Sequence, residues 1–391
     1  MNKVDVKVVV GSNYGDEGKG LATNFFSENS IGKCLNVLYN GGCQRGHTVE
    51  LKNGKRHVFH HFGSGTFSNA HTYFDKNFMV NPMVFIEEYL QLVNENGKPP
   101  ICIISPECRV TTPYDMLINQ IVEQSRGDKH HGSCGYGIWE TSVRTKDMRY
   151  NLSFGDLINK TDKEILQWLK YISDDYLYSR LKSYHITTIP QIFEQLIHSA
   201  GLAEHYLCDL RSMQHIVPMA NFKDIRCGYQ SIVFEGAQGL ALDENNIAAY
   251  PNVTASSTTS QVPIERISDM DADVEICYIS RAYFTRHGVG SFNTECEKNS
   301  INKTIMDMTN VTNEYQGGLR YGKFDADELL CRVVPDYERS RIILPNIKTS
   351  LMLTHLNYNG DIIGNCSAND ISSYFDKVYR SYTKFADDIK E

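Results

Sequence analysis

The segment that most constrains the fold is a glycine-rich turn between an apolar run and a helical pattern. Residues 4–10 form a β-branched run that is typical of a buried strand, and the turn GSNYGDEGKG follows at residues 11–20. The next residues, 21–26, predict the start of a helix. A strand, a glycine-rich turn and a helix N-terminus together present backbone N–H groups to an anion, so the segment predicts a phosphate site.

Charged side chains inside this turn refine the prediction. Lys19 adds a positive charge, but Gly20 stands where a strict Walker A motif has Ser or Thr. Asp16 and Glu17 are carboxylates, which repel phosphates unless one of them binds a metal ion or takes a proton. The alternative interpretation is an ordinary glycine-rich turn whose charges are solvated.

The composition is that of a globular protein with one large domain or two smaller ones. The chain of 391 residues carries a net charge of −8, so we expect no nucleic-acid partner bound through bulk positive charge. Its 11 cysteines include no CxxC pair, which predicts reduced thiols rather than a disulfide framework. Neither a signal peptide nor an apolar run of the ~20 residues that a membrane helix needs is visible, so we expect a cytoplasmic protein without a membrane partner.

Short apolar runs alternate with helical patterns along the chain. This order predicts an α/β fold with a mostly parallel central sheet and flanking helices, in which ligands bind beyond the carboxyl ends of the strands. After the first strand, the predicted strands are residues 35–39, 101–104, 232–234, 275–278 and 350–353. Helical patterns predict a helix near residues 118–123 and a closing helix or helix pair at residues 369–390. We interpret residues 1–391 as a single domain with a helical insertion at residues 156–214.

Five further segments rich in glycine and polar residues lie between these elements, at residues 40–49, 60–66, 132–138, 234–257 and 280–295. Their small residues leave backbone N–H groups exposed, which suits contacts to phosphate. His47 could be a structural histidine, as lone histidines usually are, but its glycine-rich setting favours a functional role. The Gln238 amide can both donate and accept toward the edge of a base. The histidine pairs at residues 60–61 and 130–131 lack the spacing of zinc ligands.

Taken in order, these blocks resemble the signatures of the adenylosuccinate synthetase family. The matching stretches are GDEGKG, GGxxxGHTV, SGT, GxxGxGI, FEGAQG with YPxVTxSS, and AYxTRxGxGxFxTE, and they span residues 8 to about 360. The resemblance implies a P-loop-NTPase-like fold and a C–N ligase activity. Such a ligase joins L-aspartate to C6 of a 6-oxopurine nucleoside monophosphate, with hydrolysis of a nucleoside triphosphate through a 6-phosphoryl intermediate.

The same resemblance assigns roles to residues of this chain. Asp16 is implied as the base that removes the purine N1 proton and, with the Gly46 carbonyl, as a ligand of Mg²⁺. Lys19 and His47 are implied to stabilise charge on the transferred phosphoryl group. The implied nucleotide contacts are Asn13, Gly15, Glu17, Gly18, Gly20, Gly46, Thr48, Thr354 and Asn357. The implied contacts to the purine monophosphate are Gln44, Ser133, Cys134, Arg144, Gln238 and Thr254. The implied aspartate contacts are Gly317, Gly318 and Arg320.

A homodimer is also implied by the family resemblance. Arg144 corresponds to a family phosphate ligand, and its segment reaches across a dimer interface in that family. We therefore expect Arg144 of one subunit to serve the phosphate site of another.

One departure from the family pattern concerns the nucleotide base. The family's Thr-Lys-x-Asp motif is matched here by Thr354-His355-Leu356-Asn357. An Asp carboxylate only accepts and suits guanine, whereas the Asn357 amide both donates and accepts and could match adenine. This favours ATP over GTP as phosphoryl donor, and the alternative is that Asn357 still reads guanine through its carbonyl.

Other departures concern the two remaining substrates. The family's aspartate loop is shortened, and Arg320 is the one arginine left there, so we expect it to bind a carboxylate of aspartate. Gln44 replaces a family asparagine, and Tyr136 replaces an arginine. These features resemble the viral branch of the family, which takes dGMP, aspartate and ATP or dATP toward 2-amino-N6-succinyl-dAMP for modified phage DNA in the host cytoplasm. Asp16 departs from some members of that branch, which carry a small hydroxyl residue there.

Two alternatives to the dGMP and ATP interpretation remain open. One is the ordinary activity of AMP biosynthesis, with IMP, aspartate and GTP. The other is a catalytically inactive regulator that only binds nucleotides.

Overall fold

The computed structural model describes residues 3–127, 132–306, 318–358, 360, 362–364 and 366–391. The strands within these ranges are β1 (Val4–Gly11), β2 (Cys34–Leu38), β3 (His47–Glu50), β4 (Arg56–Phe59), β5 (His71–Phe74), β6 (Met79–Val80), β7 (Cys102–Ile104), β8 (Arg109–Val110), β9 (Ser231–Gly239), β10 (Ala272–Arg281), β11 (Phe284–Arg286), β12 (Arg320–Gly322), β13 (Ile347–Thr354), β14 (Ile362–Ile363), β15 (Cys366–Ser367) and β16 (Lys377–Arg380).

The α-helices flank these strands in sequence. They are α1 (Lys19–Glu28), α2 (Pro82–Asn96), α3 (Pro113–Arg126), α4 (Ile138–Arg144), α5 (Phe154–Ile158), α6 (Asp162–Tyr171), α7 (Leu177–Ser183), α8 (Gln191–Ile197), α9 (Ala200–Ile216), α10 (Phe222–Ile225), α11 (Gln261–Ile267), α12 (Lys298–Ile301), α13 (Ala326–Ile343) and α14 (Ala368–Ser372). A π-helical segment, Ile172–Tyr176, joins α6 to α7.

Eight strands form one central sheet in the order β16-β13-β10-β1-β9-β2-β5-β7. Every neighbouring pair in it is parallel, which confirms the predicted parallel sheet. On one side of β1 the chain forms β2, β5 and β7 in outward order, and β9 later inserts between β1 and β2. On the other side of β1 it forms β10, β13 and β16, again in outward order. The strand order therefore reverses around β1, where parallel α/β sheets open a crevice at their carboxyl edge.

Both faces of the sheet are buried, which explains the continuous apolar run of β1. Val8 of β1 belongs to a core cluster that includes Ile264 of α11 and Val333 of α13. Val9, on the opposite face, lies in a second cluster with Phe26 of α1. The helix α1 therefore packs against the strand that precedes it and places its N-terminus at the carboxyl edge.

The β7 end of the sheet supports a third, largely helical core. Phe74 of β5 and Ile104 of β7 share this cluster with Leu169 of α6 and Leu210 of α9. The region predicted as a helical insertion holds α5 to α9, and its apolar residues pack on α2, α3 and the edge of the sheet.

The C-terminal segment differs from its prediction. The expected helix or helix pair at residues 369–390 is wrong, because only α14 and a 3₁₀ turn, Ala386–Asp388, are helical there. Between them β16 adds to the sheet in parallel with β13, and Val378 and Tyr379 fill both faces. A β-branched and an aromatic residue in alternation suit a half-buried strand better than a helix.

Two expectations about the whole chain concern cysteines and membranes. The 11 cysteines all fall within the described residues and form no disulfide. In the described ranges no helix combines the length and the apolar character that crossing a bilayer requires.

Candidate active site

A cleft of about 1020 Å³ opens at the carboxyl edge of the sheet. It collects the turns that follow β1, β9, β10 and β13, as expected for a parallel sheet. Most of the predicted site residues line it, namely Gly15, Asp16, Gly18, Lys19, Gly20, Gln44, Gly46, His47, Thr48, Ser133, Cys134, Gln238, Thr254, Thr354 and Asn357.

The turn after β1 is shaped by a carboxylate from within it. Glu17 accepts hydrogen bonds from the backbone N–H groups of Asn13 (3.0 Å) and Gly15 (2.9 Å) and from Lys19 Nζ (2.7 Å). The Asn13 side chain is tied to Ser280 of β10 at 3.1 Å. Both Glu17 and Asn13 are 2% exposed and do not line the cleft, so their side chains act inside the turn, and their contact with a nucleotide stays a prediction.

Asp16 projects from a left-handed backbone, with φ of 42°. This conformation is uncommon for a residue other than glycine, and neighbours hold it in place. The Arg281 Nε–H donates to the Asp16 carbonyl, and His287 Nε2 lies 3.4 Å from Asp16 Oδ2. The Asp16 side chain remains 27% exposed and faces the cleft, as a base that must reach a ligand requires.

His47 is oriented by a buried carboxylate that the sequence interpretation did not single out. His47 Nδ1 donates to Glu235 Oε1 at 2.6 Å, and Arg45 Nη2 lies 2.7 Å from the same oxygen. Glu235 also accepts from the backbone N–H and the hydroxyl of Ser64. Because an ionised carboxylate only accepts, Nδ1 carries the proton and Nε2 is the ring nitrogen left for a ligand.

Burial and neighbouring charges set the ionisation of this pair. Burial, together with the Arg45 charge, lowers the pKa of His47 to about 4, against the opposing effect of Glu235. Burial alone would raise the pKa of Glu235, but the charge of Arg45 and hydrogen bonds from His47 and Ser64 hold it at about 2. The pair is therefore a neutral imidazole on an ionised carboxylate near neutral pH.

Residues at the ends of β9 and β13 meet the turn after β1. Gln238 has a left-handed backbone, with φ of 63°, and its side-chain oxygen lies against Gly15. Thr354, which is 1% exposed, donates through Oγ1 to the Glu17 carbonyl at 2.8 Å. A Cβ on Gly18 would approach the Thr354 methyl group at 3.1 Å, and φ of 105° there also requires glycine.

Several polar atoms around the cleft are buried without a hydrogen-bond partner. Among the described residues these include both amide atoms of Gln44 and the hydroxyl of Thr48. An unpaired polar atom of this kind costs free energy, which a bound ligand would recover. Cys134, which also lines the cleft, is an uncharged thiol, because burial raises its pKa to about 11.

The structure does not bring Arg144 to the cleft, which corrects its expected role as a phosphate ligand across a dimer interface. The residue is fully buried, and Nε lies 2.9 Å from Asp115 Oδ1. Its other nitrogens donate to the carbonyls of Tyr150 (2.9 Å) and Val110 (2.6 Å). A guanidinium held by one carboxylate and two carbonyls joins α3, α4 and β8 and has no reach toward a partner.

Two of the predicted aspartate contacts lie away from the cleft, and the third lies outside the described residues. Arg320 Nε donates to Glu295 Oε1 at 2.8 Å, and neither Arg320 nor Gly318 lines the cleft. Gly317 and the histidine pair at residues 130–131 lie outside the described residues. The sequence interpretation missed Glu235, Arg286 and His287, although all three belong to motif blocks that it quoted.

The residues expected to bind Mg²⁺ fit that ion in part. The Asp16 carboxylate and Gly46 line the same cleft. Across the described ranges no group of three or more His, Cys, Asp or Glu side chains could hold a metal ion. Such a sparse donor set is typical of Mg²⁺ bound between one or two protein oxygens and substrate phosphates, rather than of an all-protein cage.

Comparisons with known proteins show which family the chain belongs to. The family model described as adenylosuccinate synthetase matches residues 8–330. The adenylosuccinate synthetase of Nitrosococcus oceani is 32% identical over 300 residues, which cover 74% of this chain and 65% of that protein. The chain thus spans about 65% of the length of the curated relatives that it matches at this level.

Two solved structures share the fold over the whole chain. One is the fully ligated adenylosuccinate synthetase of Plasmodium falciparum, with a TM-score of 0.69, 18% identity and coverage of 100% of both chains. The other is the succinoaminodeoxyadenylate synthetase of cyanophage S-2L bound to dGMP and dATP, with a TM-score of 0.66, 16% identity and coverage of 100% of this chain and 96% of that one. The match of the family model to residues 8–330 shows that the chain belongs to the adenylosuccinate synthetase family.

Proposed function

We propose that the protein is a C–N ligase that joins L-aspartate to C6 of a 6-oxopurine nucleoside monophosphate at the expense of a nucleoside triphosphate. The observation that carries this proposal is the convergence of Asp16, Lys19, His47 and Gln238 on one cleft from three separate turns. A base, two groups that stabilise phosphoryl charge and an amide for the purine edge are the parts this chemistry needs.

The proposed reaction has two steps. Asp16 removes the N1 proton of the purine, so that O6 becomes nucleophilic and attacks the γ-phosphorus while the bond from that phosphorus to the β,γ-bridging oxygen breaks. Lys19 stabilises the charge on the transferred group, and the His47 ring does so once Nε2, which is unprotonated in the ligand-free protein, takes up a proton. The amine of aspartate then attacks C6, the C6–O6 bond breaks, and phosphate leaves with the proton that the amine loses.

Mg²⁺ is the proposed cofactor, held by the Asp16 carboxylate and the Gly46 carbonyl. When bound, it would neutralise charge on the triphosphate. Holding the metal and accepting the proton both require the ionised form of Asp16.

For the substrate pair we favour dGMP and ATP. Asn357 lies at the carboxyl end of β13, lines the cleft and is exposed, so its amide is available to a base. Its mixed donor and acceptor character suits adenine. The likeness in fold to the phage enzyme bound to dGMP and dATP supports the same choice. The alternative is IMP and GTP, and the Nitrosococcus relative, an adenylosuccinate synthetase, favours it.

Incubating the purified protein with aspartate, Mg²⁺ and each nucleotide pair tests the proposal. We expect phosphate release and a succinyl-purine product by mass spectrometry with dGMP and ATP. Turnover with IMP and GTP alone would reject the favoured pair but keep the ligase. If no combination gives a product, the proposed ligase activity is rejected, and the interpretation as an inactive regulator that binds nucleotides remains.

The Asp16→Asn variant separates catalysis from binding. The amide keeps the size of the side chain but cannot accept the N1 proton, so we expect turnover to fall by about 10²–10⁴-fold. Binding of the purine monophosphate, measured by calorimetry without Mg²⁺, should stay within a few fold of wild type. Turnover that survives the change would show that the base has been assigned wrongly.

We also propose a homodimer, as the family resemblance implies, but without Arg144 as the crossing residue. Sedimentation velocity of the purified chain, with and without nucleotides, tests this. A monomer under both conditions would reject the homodimer.

A further inference from the structure

The segment after β4, residues 60–65, wraps around one buried carboxylate, and we call this segment the corner. The carboxylate is that of Glu88 on α2, which is 4% exposed. It accepts hydrogen bonds from the backbone N–H groups of His60 (3.0 Å), His61 (2.6 Å) and Phe62 (3.4 Å). Successive N–H groups on one anion form a compact binding arrangement. N–H groups that we expected to suit a phosphate are therefore used inside the protein, where they fix the corner to α2.

Two histidine rings complete the surroundings of Glu88. His57 Nε2 lies 3.4 Å from Oε1, and His61 Nδ1 lies 3.6 Å from Oε2. Because His61 Nε2 accepts from the backbone N–H of Asn81 at 3.0 Å, Nδ1 carries the ring proton and directs it at Glu88. Burial by itself would raise the pKa of Glu88, but the ring N–H groups of His57 and His61 hold it well below its ordinary value. The corner is thus bound to an ionised carboxylate.

The corner leads directly to the carboxylate that orients His47. Ser64 donates its backbone N–H to Glu235 Oε2 at 3.0 Å and its hydroxyl to Oε1. Oε1 of Glu235 in turn accepts from His47 Nδ1 at 2.6 Å. The corner is therefore held by Glu88 on one side and holds Glu235 on the other.

The packing around the corner leaves no slack between these two contacts. A Cβ on Gly63 would lie 2.4 Å from Asn36 Cβ, and a Cβ on Gly65 would lie 2.1 Å from Ser27 Oγ. The Gly65 N–H also donates to Asn36 Oδ1 at 2.8 Å. A close-packed interior transmits a displacement instead of absorbing it. A shift of the corner away from α2 would consequently move Ser64 and the carboxylate that it binds.

We propose that Glu88 is a positioning residue for His47 and acts through the corner, Ser64 and Glu235. Glu88 does not line the cleft, so its effect on the reaction is indirect. The inference rests on the proposed ligase function, in which His47 acts on the transferred phosphoryl group. It adds to that function a carboxylate on α2 that fixes the direction of the ring.

The variant Glu88→Gln tests this proposal. The amide keeps the size of the side chain, but its nitrogen cannot accept from the N–H groups of the corner. Since His47 contributes in the transition state, we expect kcat to fall about tenfold, with KM for the two nucleotides and aspartate within about twofold of wild type. A wild-type kcat in a folded Glu88→Gln protein would overturn the proposal.

Glu275→Gln is the matched control for a loss of stability alone. Glu275 of β10 is also 4% exposed and accepts from three side chains, but it does not line the cleft and has no contact with the corner. This variant should lower Tm and keep the wild-type kcat. Equal falls of kcat in the two variants would show that destabilisation by itself slows the reaction, against a positioning role.

Two further variants test the route and guard against a failure to fold. If Glu88 acts through Ser64, the effects of Glu88→Gln and Ser64→Ala on kcat should not add in the double variant. Additive effects would contradict this route. Should Glu88→Gln not fold, Glu88→Asp keeps the charge but withdraws the carboxylate from the corner, and a wild-type kcat of that variant would reject the proposal.

A proton NMR measurement gives a readout without turnover. The Nδ1–H of His47 in its short hydrogen bond to Glu235 should give a downfield resonance, which is assigned by its absence from His47→Gln. We expect this resonance to shift or broaden in Glu88→Gln and to stay in place in Glu275→Gln. An unchanged resonance in both variants would count against the positioning of the ring.

The outcomes separate this proposal from the proposed function. A resonance that responds only to Glu88→Gln, in a protein without ligase activity, would keep the positioning role and reject the ligase. Ligase activity with a wild-type kcat in Glu88→Gln would keep the ligase and reject the positioning role.

Discussion

At the scale of single residues, the site depends on charges that are buried and matched. His47 reaches the cleft as a neutral ring because burial lowers its pKa, and the charge of Arg45, which lies 2.7 Å from Glu235, lowers it further. A neutral His47 can accept from a ligand or take up a proton as phosphoryl charge develops. Glu235 therefore acts as a positioning residue, and its removal should affect both stability and turnover.

Replacing Glu235 by Gln should destabilise the fold and slow the reaction. The amide can still accept from His47 and Ser64, but the charge of Arg45 is left buried and unpaired. We expect the free energy of unfolding to fall by about 3 kcal/mol at pH 7, measured by urea denaturation. The kcat should fall about tenfold or more, because the His47 ring loses its charged acceptor.

The pH dependence of the same variant gives a sharper check. Glu235 has a folded pKa of about 2, below the ordinary glutamate value of about 4.3. Its contribution to the free energy of unfolding is therefore fully present at a pH above that ordinary value. This contribution is lost as the pH falls from about 4.5 toward about 2. The corresponding fall in the wild-type profile of unfolding free energy against pH should be absent from Glu235→Gln. Glu107→Gln, whose side chain is 68% exposed in wild type, is the control and should keep the wild-type profile. A profile of Glu235→Gln equal to that of wild type would contradict the assignment.

At the scale of elements, the turn after β1 is positioned by a helix far along the chain. Arg332 of α13 donates to the Ser12 carbonyl at 3.0 Å and to the Asn13 side chain, and it pairs with Glu328 at 2.7 Å. The helix α13 packs on the sheet through Leu329 and Val333. The turn after β1 is thus held from one side by its own Glu17 and from the other by α13.

Replacing Arg332 by Met should loosen this turn without unfolding the helix. Met has a high helix propensity, so the change removes the polar contacts and keeps α13. We expect the KM for the nucleoside triphosphate to rise by about tenfold, with a smaller change for aspartate. Arg339→Met, on the same helix with a side chain 48% exposed in wild type, is the control and should leave both values unchanged. Equal effects of the two variants would show that the turn does not depend on α13.

At the scale of the whole molecule, one sheet joins the core clusters. Strands β2 and β5 contribute to two of them, since Leu35 and Tyr73 pack with the cluster around Val8, and Leu38 and Phe74 pack with the helices α6 and α9. The helical insertion therefore shares its core with the sheet, and the single domain over residues 1–391 stays a prediction.

Thermal unfolding should accordingly be one cooperative transition. Differential scanning calorimetry of the ligand-free protein is expected to give a single peak whose calorimetric and van't Hoff enthalpies agree. The helices α5 to α9 expressed alone should remain unfolded, because much of their apolar surface is buried against α2, α3 and the sheet. A second, separate peak would mean that the insertion folds as an independent domain.

Much of this architecture could be predicted from the sequence because its signals are local. The β-branched run before the first turn, the glycines within that turn and the alternation of strands with helices each depend on neighbouring residues. Local patterns were also misread or overlooked. The closing helix at residues 369–390 proved to contain a strand, and α13 went unnoticed although Leu329, Val333 and Tyr337 recur at a spacing of four.

The sequence by itself determined the parallel α/β fold, the glycine-rich turn after β1 and the family blocks that contain Asp16, Lys19 and His47, which line one cleft. Only the tertiary structure decided how the arginines are paired. Arg144 is neutralised by Asp115, Arg320 by Glu295, and Arg286 is left without a carboxylate among the described residues. The physical reason is that the state of a buried charge depends on partners brought together by folding, as with Glu235, which lies 188 positions from the His47 that it orients.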